Sequence, residues 1–330
     1  MESGEVQYGD VNGLWDKVRN VFRISYTLNF VFAALVGVAF AWTVVPEWTI
    51  GTLIVLDVFF LALFVNISND YFDHKSGADE NRWKKYSVAN DKDLREMFNE
   101  KIYWSGNAFD RGIVSDRTGK VIIASLALIA VLLAIPILQF GGWMVLLMGG
   151  IAFFLSYFYT APPLNLGARG LGEVDVLLSF TFLSLFPYVV LVNDINLEIV
   201  LISITVGLSV MLLRSVDQMS GYEAHKAAGE KDFSVRFGLD GAANVVIYFL
   251  TIMYAIDICL VLLYGVGFAL LLLTIPVTKE LIKMFRDKDD KYRWIRPVPT
   301  MLKIAMGQML LLVISFLLMQ FMSELSWHPF

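Results

Sequence analysis

The sequence predicts an all-α integral membrane protein with about nine transmembrane helices. Three observations point there: a composition too apolar for water, nine apolar stretches of spanning length, and basic residues confined to alternate connections. Of 330 residues, 57% are hydrophobic and 17% charged, with a mean hydropathy of +0.63. A soluble domain is about half apolar and a quarter charged. The same figures exclude disordered, collagen-like and coiled-coil chains. The single cysteine, Cys259, excludes an internal disulfide, and three histidines argue against a zinc site. A net charge of −5 has the wrong sign for nucleic acid.

A bilayer crossing takes about 20 mostly apolar residues. Such stretches lie at Val21–Val44, Trp48–Asp70, Val121–Gln139, Trp143–Thr160, Val174–Leu191, Leu197–Leu213, Ala243–Tyr264, Val266–Lys283 and Met301–Met322. Helices are the element expected, because backbone in hydrocarbon must satisfy its own hydrogen bonds. Met1–Asp10 is acidic, lacks an apolar core and does not read as a signal peptide. All 26 Lys and Arg fall in five segments: before or at the start of the first span, Asp70–Lys120, Arg169, Arg214–Arg236 and Lys279–Lys303. Nine alternating crossings put all five on one side, which the positive-inside rule makes cytoplasmic. The connections at Phe140–Gly142, Asn193–Asn196 and Gly265, and the tail Ser323–Phe330, carry none. The cell membrane is the expected location, with the amino terminus cytoplasmic and the carboxyl terminus outside. Residues 1–330 read as one transmembrane domain with a long cytoplasmic cap loop over 73–120. Within that loop Asp91–Tyr103 carries a helical apolar stripe, which suits either a solvated loop helix or a cover over a cavity.

Chemistry is written at two cytoplasmic helix ends. At the end of the second span, Asn66, Asn69, Asp70 and Asp73 fall at i, i+3, i+4 and i+7, so they share a face. Carboxylates facing one another at a membrane boundary oppose ionisation through desolvation and repulsion. A divalent cation relieves that: Mg²⁺ takes hard oxygen ligands, often one or two carboxylates plus substrate phosphates. The ordinary alternative is capping and solvated acids at an interface.

The run Asn69-Asp70-Tyr71-Phe72-Asp73, with Lys75, Gly77 and Asp79, resembles the first aspartate-rich motif of the UbiA superfamily of intramembrane prenyltransferases. Its wording is most like that of the 1,4-dihydroxy-2-naphthoate prenyltransferases of menaquinone synthesis. Tyr159-Thr160-Ala161-Pro162-Pro163-Leu164 with Arg169-Gly170-Leu171-Gly172-Glu173 is similar to a short cytoplasmic loop of the same enzymes. The resemblance implies a helical bundle around a central cavity opening toward the cytoplasm. Relatives commonly carry a second motif of Asn or Asp followed by Asp four and eight residues later. Here Asp217 holds the first position, while Gly221 and His225 replace the two aspartates. Glu223 lies off the 217–221–225 face of a regular helix. His225 is a poor Mg²⁺ ligand and suits a hydrogen-bonding replacement better.

The implied reaction is Mg²⁺-dependent transfer of a prenyl group from a prenyl diphosphate to an aromatic, dihydroxynaphthoate-like acceptor. The resemblance places Asn69, Asp70, Asp73 and Asp217 on the metal, and Asp70, Asp73, Asp217 and Tyr159 in the catalytic set. Asn66, Asn69, Lys75, Arg169, Glu223, His225, Lys226 and Lys231 would bind substrate. The ordinary reading of the lysines and Arg169 is positive-inside bias, and of Tyr159 an interfacial anchor. Gly221 and His225 also admit a relative whose activity was lost or altered, acting as a lipid-binding or accessory membrane protein. A transporter fits less well, since transporter sites favour the midplane.

Overall fold

Apolar runs with few breakers fold as long helices here, and the described residues contain no β-strand. The computed structural model describes residues 13–76, 107–160, 163–167 and 169–326. In order come α1 (Leu14–Val21), α2 (Ile24–Trp42), α3 (Trp48–Ser76), α4 (Asp116–Gly141), α5 (Trp143–Thr160), α6 (Gly172–Val192) and α7 (Leu197–Ser220). Then follow α8 (Tyr222–Ala228), α9 (Phe233–Tyr264), a 3₁₀ helix (Val266–Thr274), α10 (Ile275–Arg286) and α11 (Pro297–Ser326). The stripe at Asp91–Tyr103, most of the cap loop, and Gly77, Asp79, Ala161 and Pro162 lie outside the described residues.

Six of these helices are long and apolar enough to cross a bilayer, or seven if the bent pair α1 and α2 is one span. The predicted fourth span, α5, is shorter. The predicted eighth is broken: a 3₁₀ segment to Thr274, then an α-helix from Ile275. Length and composition therefore do not establish nine crossings. They do make this an integral membrane protein, and its surface agrees. Leu128, Val131, Leu132, Trp143, Leu146, Phe153, Leu262 and Leu263 are all exposed, a surface that water does not tolerate but lipid does.

The chain falls into two compact units, residues 1–28 with 56–133 and residues 29–55 with 134–330. The first has a small core of Val21, Leu63, Ile67, Ala108, Phe109, Val114 and Leu126. In the second, α7 is the central helix: 78% of its most apolar window is buried, against 17% to 44% for the other qualifying helices. It packs on α6, α9 and α11. The α6–α7 turn is built from two asparagines. Asn193 takes the left-handed conformation after α6 (φ 57°), and Asn196 caps α7 by accepting from the Ile199 amide.

The broken eighth span is made tolerable by α11. A 3₁₀ helix has poorer internal hydrogen bonds than an α-helix, and hydrocarbon offers no water to compensate. Gln308 Nε2 donates to the Leu271 carbonyl (3.3 Å) and the Thr274 hydroxyl (2.9 Å). One heptad on, the Ser315 hydroxyl lies 2.9 Å from the Gly267 carbonyl. Gln308 also donates to Asp257 of α9 (3.2 Å), whose other oxygen accepts from Thr205 of α7 (3.3 Å). Replacing Gln308 by Leu strands these acceptors and is expected to destabilise the protein by about 1–3 kcal/mol. Ser315→Ala should have a smaller effect, and thermal unfolding in detergent reads both.

Candidate functional site

In the first unit, the polar face at the end of α3 is held from several sides. Asn66 and Asp70 are buried, while Asn69 and Asp73 are half-buried on the same helix end. Asn66 Nδ2 donates to the Thr27 hydroxyl (2.9 Å) and the Phe22 carbonyl (3.4 Å), which locks α3 to the α1–α2 elbow. At that elbow Arg23 takes a positive φ of 45° and its guanidinium pairs with Asp70. The second Asp70 oxygen accepts from the Ala108 amide (3.3 Å), and Asn107 donates to the Asp70 carbonyl (2.7 Å). Asp70 is fully buried, so without Arg23 it would be an uncompensated charge. Arg23 was legible only as a basic residue beside the first span, because 47 residues separate it from its partner.

Lys75, predicted to bind diphosphate, pairs with Asp116 at the start of α4, and His74 pairs with Asp110. The Lys75 pair is about 45% exposed, and such surface pairs hold weakly, so the ammonium can exchange partners. Asn69, Asp70 and Asp73 lie within little more than one turn of α3, and both carboxylate oxygens of Asp70 are engaged, one by Arg23 and one by the Ala108 amide. Asn69 and Asp73, half-buried on the same helix end, are hard oxygen donors of the kind Mg²⁺ takes, and Asp70 would have to exchange Arg23 for the ion to join them.

In the second unit, the proline loop is welded in place by a buried ion pair. Arg214, on α7 one turn before Asp217, donates from Nε to the Tyr159 hydroxyl (2.8 Å) and from Nη1 to Glu173 (2.9 Å). The same Glu173 oxygen accepts from the Phe233 amide at the start of α9 (3.1 Å). One guanidinium thus joins the end of α5 and the start of α6 to α7, and Glu173 joins α9. A Cβ at Gly172 would sit 2.4 Å from the Arg214 guanidinium, so a side chain there would displace the pair. Gly170, at φ +90°, passes so close to the Lys231 carbonyl that a Cβ would lie 2.8 Å from it. Arg214 was missed as a functional residue, and only its position three residues before Asp217 could have flagged it.

The second motif differs from the regular helix assumed for it. α7 stops at Ser220 and α8 begins at Tyr222, with Gly221 between them, so 217, 221 and 225 do not lie along one uninterrupted helix. Asp217 is half-buried and its backbone carbonyl accepts from the Ser220 hydroxyl (2.6 Å). Glu223, Lys226, Lys231 and Arg169 are exposed; Lys226 lies over the Tyr222 ring at 5.4 Å. His225 is buried, with Nδ1 2.8 Å from Asp232. Asp232 caps α9, its other oxygen accepting from the Val235 amide (3.0 Å) and the Ser234 hydroxyl (2.6 Å). Burial pushes the Asp232 carboxyl up, but these donors outweigh it and hold it below the ordinary carboxylate value. His225, Glu230 and Asp232 bring one ligand atom each within 4.8 Å of one another. An open apolar groove of about 370 Å³ lies between α5 and α6, lined by Leu146, Leu147, Gly150, Ile151, Phe154, Leu155 and Phe182. No motif residue lines it.

Two stability predictions follow from this geometry. Glu173→Ala or Arg214→Ala leaves a buried charge unpaired and should cost about 3–5 kcal/mol, against about 1 kcal/mol for Tyr159→Phe; thermal unfolding in detergent measures each. Because Asp232 is held below its ordinary value, its stabilisation is complete above a pH of about 4 and is lost as pH falls through the folded value. The melting-temperature gap between wild type and Asp232→Asn should therefore narrow below pH 4; a gap that widens in acid refutes the sign.

Comparison with known proteins places this architecture. The family model described as "UbiA prenyltransferase family" matches residues 30–307. The chain is 26% identical to the 2-carboxy-1,4-naphthoquinone phytyltransferase of Synechocystis sp. over 263 residues, 78% of each chain. It is 23% identical to the 1,4-dihydroxy-2-naphthoate octaprenyltransferase of Bacillus subtilis over 202 residues, 59% of this chain and 58% of that one. Its fold is similar to that of a UbiA homolog from Archaeoglobus fulgidus solved with GPP and Mg²⁺, at a TM-score of 0.59 and 14% identity over 90% of this chain and 99% of that one. The chain belongs to the UbiA prenyltransferase family and is a prenyltransferase.

Proposed function

We propose that this protein transfers a prenyl group from a prenyl diphosphate to an aromatic, dihydroxynaphthoate-like acceptor, with Mg²⁺ as cofactor. The observation that carries the reading is the Asn69-Asp70-Tyr71-Phe72-Asp73 run on the last turns of α3, with the buried Asp70 oriented by Arg23 and the Ala108 amide. Support for the acceptor class comes from the two naphthoate relatives, and for the donor and metal from the Archaeoglobus homolog solved with GPP and Mg²⁺.

Asn69, Asp70 and Asp73 would hold the metal at the first motif, Asp70 by exchanging its Arg23 partner for the ion, and Asp217 would be a metal ligand of the second motif. Bound there, Mg²⁺ neutralises charge developing on the diphosphate leaving group. The chain's own groups do the rest. Arg23 compensates the buried Asp70 carboxylate and holds it in place until the ion takes it over. Lys75, freed from its exposed pair with Asp116, and Lys226, Lys231 and Arg169 at the rim add positive charge for the diphosphate. The Arg214–Glu173 pair sets the position of Tyr159, whose ring stabilises an allylic cation by cation–π contact. Residues 1–330 act as one catalytic domain in the cell membrane, amino terminus in the cytoplasm and carboxyl terminus outside. Asn66 supports this site from the α1–α2 elbow, and Glu223 stands at its exposed edge.

A second reading, a relative that kept the fold and changed or lost its reaction, is favoured by Gly221 and His225. Turnover of a prenyl diphosphate and 1,4-dihydroxy-2-naphthoate by purified protein separates the two. Transfer should require Mg²⁺, stop with EDTA, and fall about 10²-fold or more in Asp70→Ala and Asp73→Ala. Full activity in those variants, or in EDTA, defeats the proposal. No turnover by wild type, with activity gained in a Gly221→Asp/His225→Asp double variant, favours the second reading.

A further inference from the structure

We propose that α1 is seated in the bilayer interface, with the Leu14–Trp15–Val18 stripe embedded in lipid, and that this seating steadies the elbow holding Arg23 on Asp70. Seating of this kind needs only a membrane, so it stands or falls apart from the prenyl-transfer reading.

At 100° per residue, Leu14, Trp15 and Val18 fall within one arc of α1 about 100° wide, the width of an amphipathic stripe. Leu14 is 81% and Trp15 67% exposed, and neither belongs to the core of the first unit. The other edge of α1 is docked on that unit. Val21 is buried in its core, and the buried Asn20 has its side-chain oxygen 3.4 Å from the Arg111 guanidinium. Asp16 falls away from the stripe, while Lys17 and Arg19 stand on either side of it. Long basic side chains so placed reach the headgroups while the apolar face sits deeper. A tryptophan suits that boundary, because its ring is apolar and its N–H polar.

The geometry selects lipid as the occupant. Eight residues give α1 a length of about 12 Å, too short to cross a hydrocarbon core of about 30 Å. The 19 residues of α2 reach about 28 Å and cross without it. α1 is bent 67° from the Tyr26–Trp42 run of α2, so with α2 near the bilayer normal it runs closer to the membrane plane. The stripe is thus held beside the level at which α2 enters the bilayer, continuous with the lipid-facing surface of the spans.

The elbow carries this hold to the first motif. The Phe22 carbonyl accepts from the Thr27 hydroxyl (2.9 Å) and from Asn66 Nδ2 (3.4 Å), and Arg23 pairs with Asp70. Arg23 has φ 45°, a conformation that favours glycine and persists only where the surroundings impose it. Those surroundings are α1 on one side and α2 on the other. Lipid that fixes α1 therefore acts two residues from the guanidinium that compensates Asp70, and Leu14 and Trp15 are positioning residues for that pair.

A single fluorescent probe reads the seating. In a Cys259→Ala background, Trp15→Cys or Lys17→Cys carries the probe, and the full chain is placed in nanodiscs of phosphatidylcholine and phosphatidylglycerol. Lipid brominated on its acyl chains should quench the probe at 15 about threefold more than the probe at 17, and aqueous iodide should do the reverse. Iodide quenching as strong at 15 as at 17 overturns the inference. So does a probe at 15 shielded from both quenchers, since protein would then cover the stripe. Thermal unfolding in the same nanodiscs reads the coupling. Leu14→Gln/Trp15→Gln should lower the melting temperature by about 2–4 °C, and by much less in an Asp70→Asn background, where no charge pair is left for the elbow to steady. Equal shifts in the two backgrounds, or no shift in the wild-type background, overturn the coupling of α1 to Asp70.

Discussion

The buried pair between Arg214 and Glu173 is the interaction on which the second unit's polar end depends. Their side chains are 10% and 1% exposed, and the donors they share reach the end of α5, the start of α6, α7 and the start of α9. Taking two charges out of water is costly, and their attraction offsets this only when geometry and remaining hydrogen bonds are good. Here the Tyr159 hydroxyl and the Phe233 amide supply part of those bonds, Glu173 Oε2 is left buried with no partner among the described residues, and Gly172 supplies the room. The pair is then better understood as a device for register than as a source of stability. It sets where the proline loop stands against the helix that carries Asp217.

The same logic recurs at three other buried acids. Asp70 has Arg23 and the Ala108 amide, Asp232 has His225 and its own helix cap, and Asp257 has Thr205 and Gln308. Each acid is tied to a different element from its own, so each doubles as a joint. In the first unit the joint orients a predicted metal ligand. Along Val266–Thr274, Gln308 and Ser315 donate to carbonyls of the 3₁₀ segment and tie it to α11.

What was legible in the sequence was what local periodicity encodes. The apolar stretches became helices, and the register of Asn66, Asn69, Asp70 and Asp73 survives on one continuous α3 that runs three residues past Asp73. What was not legible was pairing at a distance. Arg23 and Arg214 read as members of a basic bias, because nothing local distinguishes a lysine or arginine that steadies the membrane interface from one that holds an acid 41 or 47 residues away. The 3₁₀ character of Val266–Thr274 depends on donors from α11, so its own composition reads as an ordinary helix. Asp232 is legible in the sequence, since an acid directly before an apolar helical run is a cap signature. The break at Gly221 was likewise available in the residue itself, since glycine is a poor helix-interior residue.

The second motif separates erosion from exchange on physical grounds. A site drifting out of use loses the partners of its buried polar groups first, since nothing maintains them, and each orphan then carries a desolvation penalty. Around His225 the reverse holds. Its Nδ1 is paired, the acid that pairs it is capped twice over, and the residue beside the ring is the one residue with no side chain to obstruct it. A random pair of substitutions at 221 and 225 would more often leave a void or an unpaired nitrogen facing the protein. Here Nδ1 is paired with Asp232, and Gly221 leaves room for the ring. Asp232 and Nδ1 of His225 therefore carry no such penalty.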